Sequence, residues 1–196
     1  MGRHREFDEA DVVEKAMQAF WKNGWRDTTP QRLVEATGLS RSSLYASFGS
    51  KQGMFLAALD RYVEDQELFL TQLLAEGTLR EGLERMYALM TDMLRPGGQG
   101  LTCLVAGSLL EVPTEDEKTV ARVAAGQARM MAIYEARIQR AIDEGELDAT
   151  RTARDVARFI DTVNNGFQVA ARANASEDDL RNIGRMAIET VFRTEP

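Results

Sequence analysis

The chain has 196 residues, 44% of them hydrophobic, and a formal net charge of −7. This length and apolar content allow one or two domains with a sizeable core. No apolar run approaches the ~20 residues that cross a bilayer, and the charged start MGRHREFDEA is unlike a secretory signal. One cysteine and one histidine leave no disulfide within the chain and no His/Cys metal site, and they favour a reducing cytoplasm.

Helix-forming residues dominate the chain, and strand-like alternation is nearly absent, which predicts an all-α fold. The first helix is expected to begin near Asp8, an N-cap residue, with Phe7 stapled onto the helix, and to end at Gly24. Thr29 and Pro30 then suit the N-cap and first position of a second helix. Gly38 ends that helix after about two turns.

Two serines begin the next helices. Ser40 is expected to cap a third helix that runs to about Phe48, and Ser50 to cap a long fourth helix. The remainder of the chain is predicted to form helices at about 78–94, 101–111, 115–145, 151–173 and 177–193.

The later helices carry their own start signals. Thr114 with Glu117 is predicted to form a capping box, and Ser176 with Asp179 resembles one.

The second and third predicted helices, joined by a tight glycine-containing turn, are typical of a helix-turn-helix. Leu33, Leu39 and Leu44 are spaced to face the first helix, which leaves a polar outer face on the third. Residues 15–53 hold six basic side chains and two acidic ones, a net charge of +4. A local positive surface on an acidic protein can still bind a polyanion. The alternative is an ordinary helical hairpin with a solvated polar face.

Small residues on the third helix allow its backbone to enter a DNA major groove, which is about 12 Å wide. Arg41 can reach a guanine edge or a phosphate, and Ala46 can meet a thymine methyl group. Tyr45 and Lys51 suit phosphates. The candidate DNA-contacting residues are Thr29, Gln31, Arg41, Ser42, Ser43, Tyr45, Ala46, Ser47 and Lys51.

Residues 7–60 resemble the N-terminal domain of the TetR family of bacterial transcription regulators. The likeness is carried by AFWKNGW, by TT before the second helix, by GLSRSSLY, and by F-x-SK leading into the fourth helix. It implies that Tyr45 and Lys51 contact phosphates. It also implies a DNA-binding domain at residues 1–50 and, with a linking helix from about 51, a helical ligand-binding and dimerisation domain at 51–196. Val34, Thr37, Ala46 and Ser47 depart from the family pattern, which affects the expected operator sequence.

The C-terminal part is expected to hold an effector pocket, although each methionine there can equally be core filler. The candidate pocket residues are Met86, Tyr87, Met90, Cys103, Met130, Tyr134, Asn164 and Phe167. The resemblance further implies a dimer interface on helices 151–173 and 177–193, with Gly166 and Gly184 permitting close approach. Internal packing of the same apolar faces is the alternative.

The leading interpretation is a cytoplasmic, homodimeric repressor that binds a palindromic double-stranded operator and is released by a small-molecule effector. Control by a protein partner or by oxidation or alkylation of Cys103 are the alternatives, since a thiol in the first turn of a helix has a lowered pKa. The segment GLTCLVAGSLLEV resembles a stretch of one TetR subgroup, with Thr102 in place of its glycine. No set of side chains indicates an enzyme, a cofactor or a metal.

Overall fold

The computed structural model describes residues 8–94, 102–148 and 150–193. These residues form nine α-helices and no strand, which confirms the all-α prediction. The helices are α1 (Glu9–Asp27), α2 (Pro30–Thr37), α3 (Arg41–Phe48), α4 (Lys51–Ala75), α5 (Leu79–Leu94), α6 (Leu104–Glu111), α7 (Glu117–Asp143), α8 (Ala153–Arg172) and α9 (Glu177–Val191). Along the described ranges no helix is both long enough and apolar enough to span a membrane.

The helices divide into two compact units. Unit 1 takes residues up to Asp65 together with Cys103–Gln127, and unit 2 takes Gln66–Thr102 together with the residues from Ala128 onward. The helices α4 and α7 therefore each contribute residues to both units. Within the described ranges, neither unit contains a cluster of side chains that could hold a metal ion.

The N-terminal helix starts and breaks close to where its sequence predicts. The carboxylate of Asp8 accepts a hydrogen bond of 3.0 Å from the backbone N–H of Ala10. Phe7, the predicted staple, lies outside the described residues. At Gly24 the backbone leaves the helical conformation, with φ 77° and ψ 176°, and helical residues then continue to Asp27. A positive φ of this kind favours glycine, so Gly24 is a break within α1 rather than its last residue.

The predicted capping box at Thr114 is wrong. The helix α7 begins at Glu117, and the residue before it, Asp116, accepts a 3.1 Å hydrogen bond from the backbone N–H of Thr119. Asp116 also accepts a 2.6 Å hydrogen bond from the amide of Gln52 in α4. These bonds make Asp116 the N-cap residue of α7. The second predicted box, Ser176 with Asp179, is confirmed in both of its hydrogen bonds.

The core of unit 1 is aromatic. Phe20 and Phe55 are fully buried, and their rings meet edge-on with centroids 5.1 Å apart. The ring of Trp25, just past the break in α1, packs against Phe55 at 4.8 Å. This cluster fixes the end of α1 against α4, and α2 and α6 also pack on α1.

The core of unit 2 is built from α5, α8 and α9, which pack on one another. A β-carbon added at Gly184 of α9 would lie 2.8 Å from Cβ and Cγ of Tyr87 in α5, so glycine is required at this crossing. Arg137 of α7 is buried and donates hydrogen bonds to the carbonyl oxygens of Leu74 and Gly77, near the end of α4. Because Gly184 meets Tyr87 of the same chain, the close approach expected at this glycine is made within one chain.

Candidate nucleic-acid interface

The turn between α2 and α3 is set by local hydrogen bonds. Thr29 accepts one from the backbone N–H of Arg32 at 3.3 Å, as expected of an N-cap. At the other end of α2, Gly38 adopts a left-handed conformation with φ 72° and ψ 5°. The buried hydroxyl of Thr37 donates to the carbonyl of Leu33 at 2.7 Å. The chain therefore turns sharply into α3 with its buried polar groups satisfied.

Helix α3 has one buried side chain, Leu44, and a wide accessible face. Arg41, Ser42, Ala46 and Ser47 are exposed, as predicted. Ser43 and Tyr45 were expected on the same outer surface, and they are instead half-buried at its edges. The fully exposed strip of α3 is therefore narrower than the sequence indicates.

The polar groups of α3 make contacts within their own segment. The Ser40 hydroxyl caps the helix by accepting from the backbone N–H of Ser43 at 3.1 Å. It also lies 2.9 Å from the hydroxyl of Ser42 and 2.8 Å from that of Ser43. The guanidinium of Arg41 lies 5.5 Å from the centroid of the Tyr45 ring, a cation–π distance. These contacts hold the side chains of the helix on the accessible face.

Lys51, the first residue of α4, is held against the end of α1. Its ammonium lies 4.5 Å from the centroid of the Trp25 ring and 3.4 Å from the carbonyl oxygen of Arg26. Partial burial lowers the pKa of Lys51, and the carboxylates of Asp27 and Glu111 act in the opposite direction. The lysine side chain is therefore held in place at the N-terminus of a long helix, where backbone N–H groups also favour an anion.

Two candidate residues belong to α2 and its N-cap rather than to α3. Thr29 and Gln31 are exposed, and the Gln31 amide donates to the carboxylate of Glu35 at 2.9 Å. The structure thus brings the nine predicted DNA-contacting residues into one region of unit 1, formed by α2, α3 and the start of α4.

Glu111 is a residue of this region that the sequence analysis missed. Its carboxylate accepts a 3.3 Å hydrogen bond from the backbone N–H of Arg26, and its own carbonyl accepts one from the Arg26 guanidinium at 3.3 Å. A β-carbon at Gly24 would lie 2.5 Å from this carboxylate. Glu111 thus ties the last residue of α6 to the break in α1, next to Lys51. No local signal indicates this contact, because 85 positions separate its partners.

Several of the candidate pocket residues meet inside unit 2. The Asn164 amide donates to the Tyr134 hydroxyl at 3.2 Å, and that hydroxyl lies 3.6 Å from the sulfur of Met86. The rings of Tyr87 and Phe167 are 5.8 Å apart. All five side chains are buried, and we refer to them as the polar core cluster.

The three other candidate pocket residues lie outside the polar core cluster. Met130 is buried, Met90 is half-buried, and Cys103 is a half-buried residue of unit 1 that directly precedes α6. The expected place of Cys103 in the first turn of its helix is therefore wrong, because α6 begins at Leu104.

The predicted dimer face is divided between core and surface. Phe167 and Leu180 are fully buried within the chain, in agreement with the internal-packing alternative. Phe159, Val169 and Met186 are 36%, 64% and 60% exposed, respectively. Large apolar side chains therefore remain accessible on both α8 and α9.

The fold and the α2–turn–α3 geometry define a helix-turn-helix DNA-binding protein. The family model described as bacterial regulatory proteins, tetR family, matches residues 12–58, and the one described as tetracyclin repressor-like, C-terminal domain, matches residues 75–187. The second match alone spans more than half of the chain. The chain belongs to the TetR family of bacterial transcription regulators, and as such it is a DNA-binding transcription factor and not an enzyme.

The relatives of the chain share most of its length. An uncharacterized helix-turn-helix transcriptional regulator of Bacillus subtilis, YezE, is 29% identical over 93% of this chain and 95% of its own. The transcriptional repressor ComR of Escherichia coli is 26% identical over 93% of this chain and 88% of its own.

Solved structures agree with the fold. A cysteine-substituted form of the TetR-family regulator CifR, in complex with 26-base-pair operator DNA, superposes with a TM-score of 0.83 at 26% identity, covering 97% of this chain and all of its own. The reduced form of Escherichia coli NemR gives a TM-score of 0.80 over 94% of this chain and 97% of its own, at 18% identity, which bears on the fold alone.

Proposed function

We propose that the protein is a cytoplasmic, homodimeric repressor that binds a palindromic operator and leaves it when a small-molecule effector binds. The observation that carries the proposal is the accessible face of α3, where an exposed arginine and small polar residues stand beside Tyr45 and Lys51. Relatives such as ComR are repressors by name, and the CifR structure contains operator DNA. These names support the same role in this chain.

The side chains on this face have different proposed tasks. Arg41, with Ser42, Ser43, Ala46 and Ser47, reads base edges in the major groove, because α3 presents no bulky aliphatic side chain there. Tyr45 and Lys51, with Thr29 and Gln31, contact phosphates and set the register of the helix on the duplex.

The homodimer is inferred from the uncovered apolar residues of α8 and α9. Phe159, Val169 and Met186 are more exposed than a packed face would leave them. Gly166 lies between Phe159 and Val169 along α8, and a β-carbon added there would meet no atom within 4 Å. A second copy of the chain can approach α8 closely at such a position. The two helix-turn-helix segments of a dimer read half-sites about one helical turn apart.

Release from the operator follows from a difference in the affinity of the effector for two states of the dimer. An effector bound in unit 2, at the polar core cluster, favours a dimer state in which the spacing of the two α3 helices no longer matches the operator. It can do so only if it binds that state more tightly than the DNA-bound one. The helix α4 begins with Lys51 and ends in unit 2, so it is the element that joins the two sites along the chain.

The test is binding to the DNA upstream of the gene, compared with a scrambled duplex of the same length and composition. We expect a specific complex with two chains per duplex, measured by band shift and sedimentation. Equal affinity for both duplexes at every salt concentration would contradict an operator-specific role. A complex with one chain per duplex would contradict the dimer.

A second candidate for regulation is chemical modification of Cys103. The residue directly precedes α6, it is half-buried rather than fully buried, and its side chain makes no capping hydrogen bond to that helix. The end of a helix at which its N–H groups are unpaired stabilises a thiolate. The CifR chain in the solved operator complex carries cysteine substitutions, which favours testing the thiol of this chain.

A further inference from the structure

Two polar atoms of the polar core cluster have no hydrogen-bond partner. They are the hydroxyl of Tyr87 and the side-chain oxygen of Asn164, on residues that are only 4% and 7% exposed. A buried polar group without a partner costs free energy, because it has lost its water and gained nothing in return. Such groups are few in folded proteins, and each one calls for a physical reason.

The two atoms offer complementary chemistry within the polar core cluster. Asn164 and Phe167 lie one turn apart on the buried face of α8, and the Phe167 ring packs on Tyr87 of α5. Burial raises the pKa of Tyr87, so its hydroxyl keeps its proton and acts as a donor. The Asn164 oxygen is an acceptor, while the amide nitrogen of the same side chain is already engaged with Tyr134. The pair thus presents one unused donor and one unused acceptor.

The surroundings offer no net charge to a charged ligand. Among the described residues of unit 2, Arg137 is the one buried charged side chain. It donates to Leu74 and Gly77 and is paired with Glu146 at 3.3 Å, so although its Nη1 atom has no partner, its charge is already balanced. The groove that Tyr87 also lines carries three arginines and three acidic side chains, which balance one another in charge. A charged ligand buried at Tyr87 and Asn164 would therefore find no net counter-charge, and its desolvation would not be repaid.

Methionine side chains in unit 2 allow the polar core cluster to change its packing. The sulfur of Met86 is in contact with the Tyr134 hydroxyl, and Met130 and Met131 of α7 are buried in the same unit. An unbranched thioether side chain changes rotamer more readily than a branched one, so it can move aside for a ligand.

We propose that the effector is an uncharged, largely apolar molecule that accepts a hydrogen bond from Tyr87 and donates one to Asn164. This inference rests on the proposed effector site of unit 2 and goes beyond it by naming the chemical class. The simplest group that offers both functions is a primary amide on an apolar frame. Binding satisfies two atoms that are unsatisfied in the unliganded chain, and the free energy so gained favours the liganded state.

The test uses three probes of one shape in the absence of DNA, so that it can fail independently of operator binding. Benzamide carries the donor and the acceptor, benzoate carries a charge, and toluene carries neither group. We expect benzamide to raise the thermal unfolding midpoint of the full chain at a concentration where benzoate and toluene leave it unchanged. A shift with benzoate equal to that with benzamide, or no shift with benzamide, would overturn the proposal.

Two variants locate the site. Tyr87→Phe removes the unpartnered hydroxyl with little change of shape, and we expect its affinity for benzamide to fall about fivefold, the loss of one neutral hydrogen bond. Its own unfolding midpoint should be unchanged or higher. Tyr134→Phe is the matched comparison, because that hydroxyl is hydrogen-bonded in the cluster, and its removal should lower the midpoint.

Each alternative result has a consequence for the proposal. Unchanged benzamide affinity in Tyr87→Phe places the ligand elsewhere and overturns the assignment. A midpoint lowered as much as in Tyr134→Phe means that the Tyr87 hydroxyl has a partner in the unliganded chain, which removes the basis of the inference. Loss of operator binding, by contrast, concerns the function proposed above and leaves these probe measurements valid.

Discussion

The proposed contact of Lys51 with DNA can be tested through the salt dependence of binding. Each phosphate that a protein cation neutralises releases counterions, which contributes about 0.9 to the slope of log K against log salt concentration. Lys51→Met removes the ammonium and keeps an apolar stem against the ring of Trp25. The change therefore separates the charge of the lysine from its packing.

The expected magnitude follows from two copies in a dimer. Losing one phosphate contact reduces the slope by about 0.9, and losing one in each chain of the dimer reduces it by about 1.8. Between about 50 and 200 mM salt, a fourfold range, the affinity deficit of the variant should then shrink about twelvefold. Fluorescence anisotropy with a labelled duplex of random sequence is sufficient, because this contribution does not depend on base sequence.

Arg140→Met is the matched control. Arg140 is exposed near the end of α7, in unit 2, and its loss removes the same charge. We expect the control to keep the slope of the unmodified protein. A Lys51→Met slope equal to that of the unmodified protein would show that this lysine binds no phosphate, and a slope lowered equally in both variants would show a general effect of net charge.

Four further changes have defined outcomes. Arg41→Ala should cost about 1–3 kcal/mol of operator affinity and relax selectivity at one base position per half-site, as measured by competition with single-base variants of the duplex. Gly184→Ala should lower the free energy of unfolding by about 1–3 kcal/mol, because its β-carbon overlaps an aromatic side chain of α5. Gly166→Ala, whose β-carbon meets open space, should raise helix stability by up to about 1 kcal/mol and weaken self-association in sedimentation. Cys103→Ser should stay bound to DNA when N-ethylmaleimide releases the unmodified protein.

Each of these has a result that contradicts it. An Arg41→Ala protein with lower affinity and unaltered base preference would make the arginine a backbone clamp. Equal stability losses at the two glycines would contradict the distinction between an internal crossing and an open face. Release of both cysteine forms by the reagent, or of neither, would remove Cys103 as a sensor.

The local structure of the helix-turn-helix was predictable because its signals lie within a few residues of their effects. The side-chain oxygens of Thr29, Ser40 and Ser50 accept from backbone N–H groups of the helices they precede, and Gly38 takes the left-handed conformation that its position predicts. A capping bond joins residues two or three positions apart, so the sequence alone contains both partners. The misplaced start at Thr114 shows the limit, because Asp116, nearby, competes successfully for the same role.

Contacts between distant segments were not predictable in the same way. Apolar residues of α8 and α9 share helical spacing, and spacing alone does not show that Phe167 is buried while Phe159 is partly exposed. Likewise, Glu111 gives no local sign that it meets Arg26. Such pairs are decided by the packing of whole helices, which a single periodic pattern leaves open.

The serine hydroxyls and the Arg41–Tyr45 stack of α3 also bear on how the protein searches a chromosome. In the unbound chain these groups are already engaged with one another, so the proposed base contacts would replace existing contacts rather than add new ones. On unrelated DNA the side chains can stay folded against their own helix at little cost, and the complex is then held by phosphate contacts that permit sliding. Only where the base edges offer better partners does the exchange become favourable. Discrimination then comes from the free-energy difference between the contacts within α3 and the contacts to base edges. Scanning stays fast because an unrelated sequence offers no contacts that are more favourable than those within the helix.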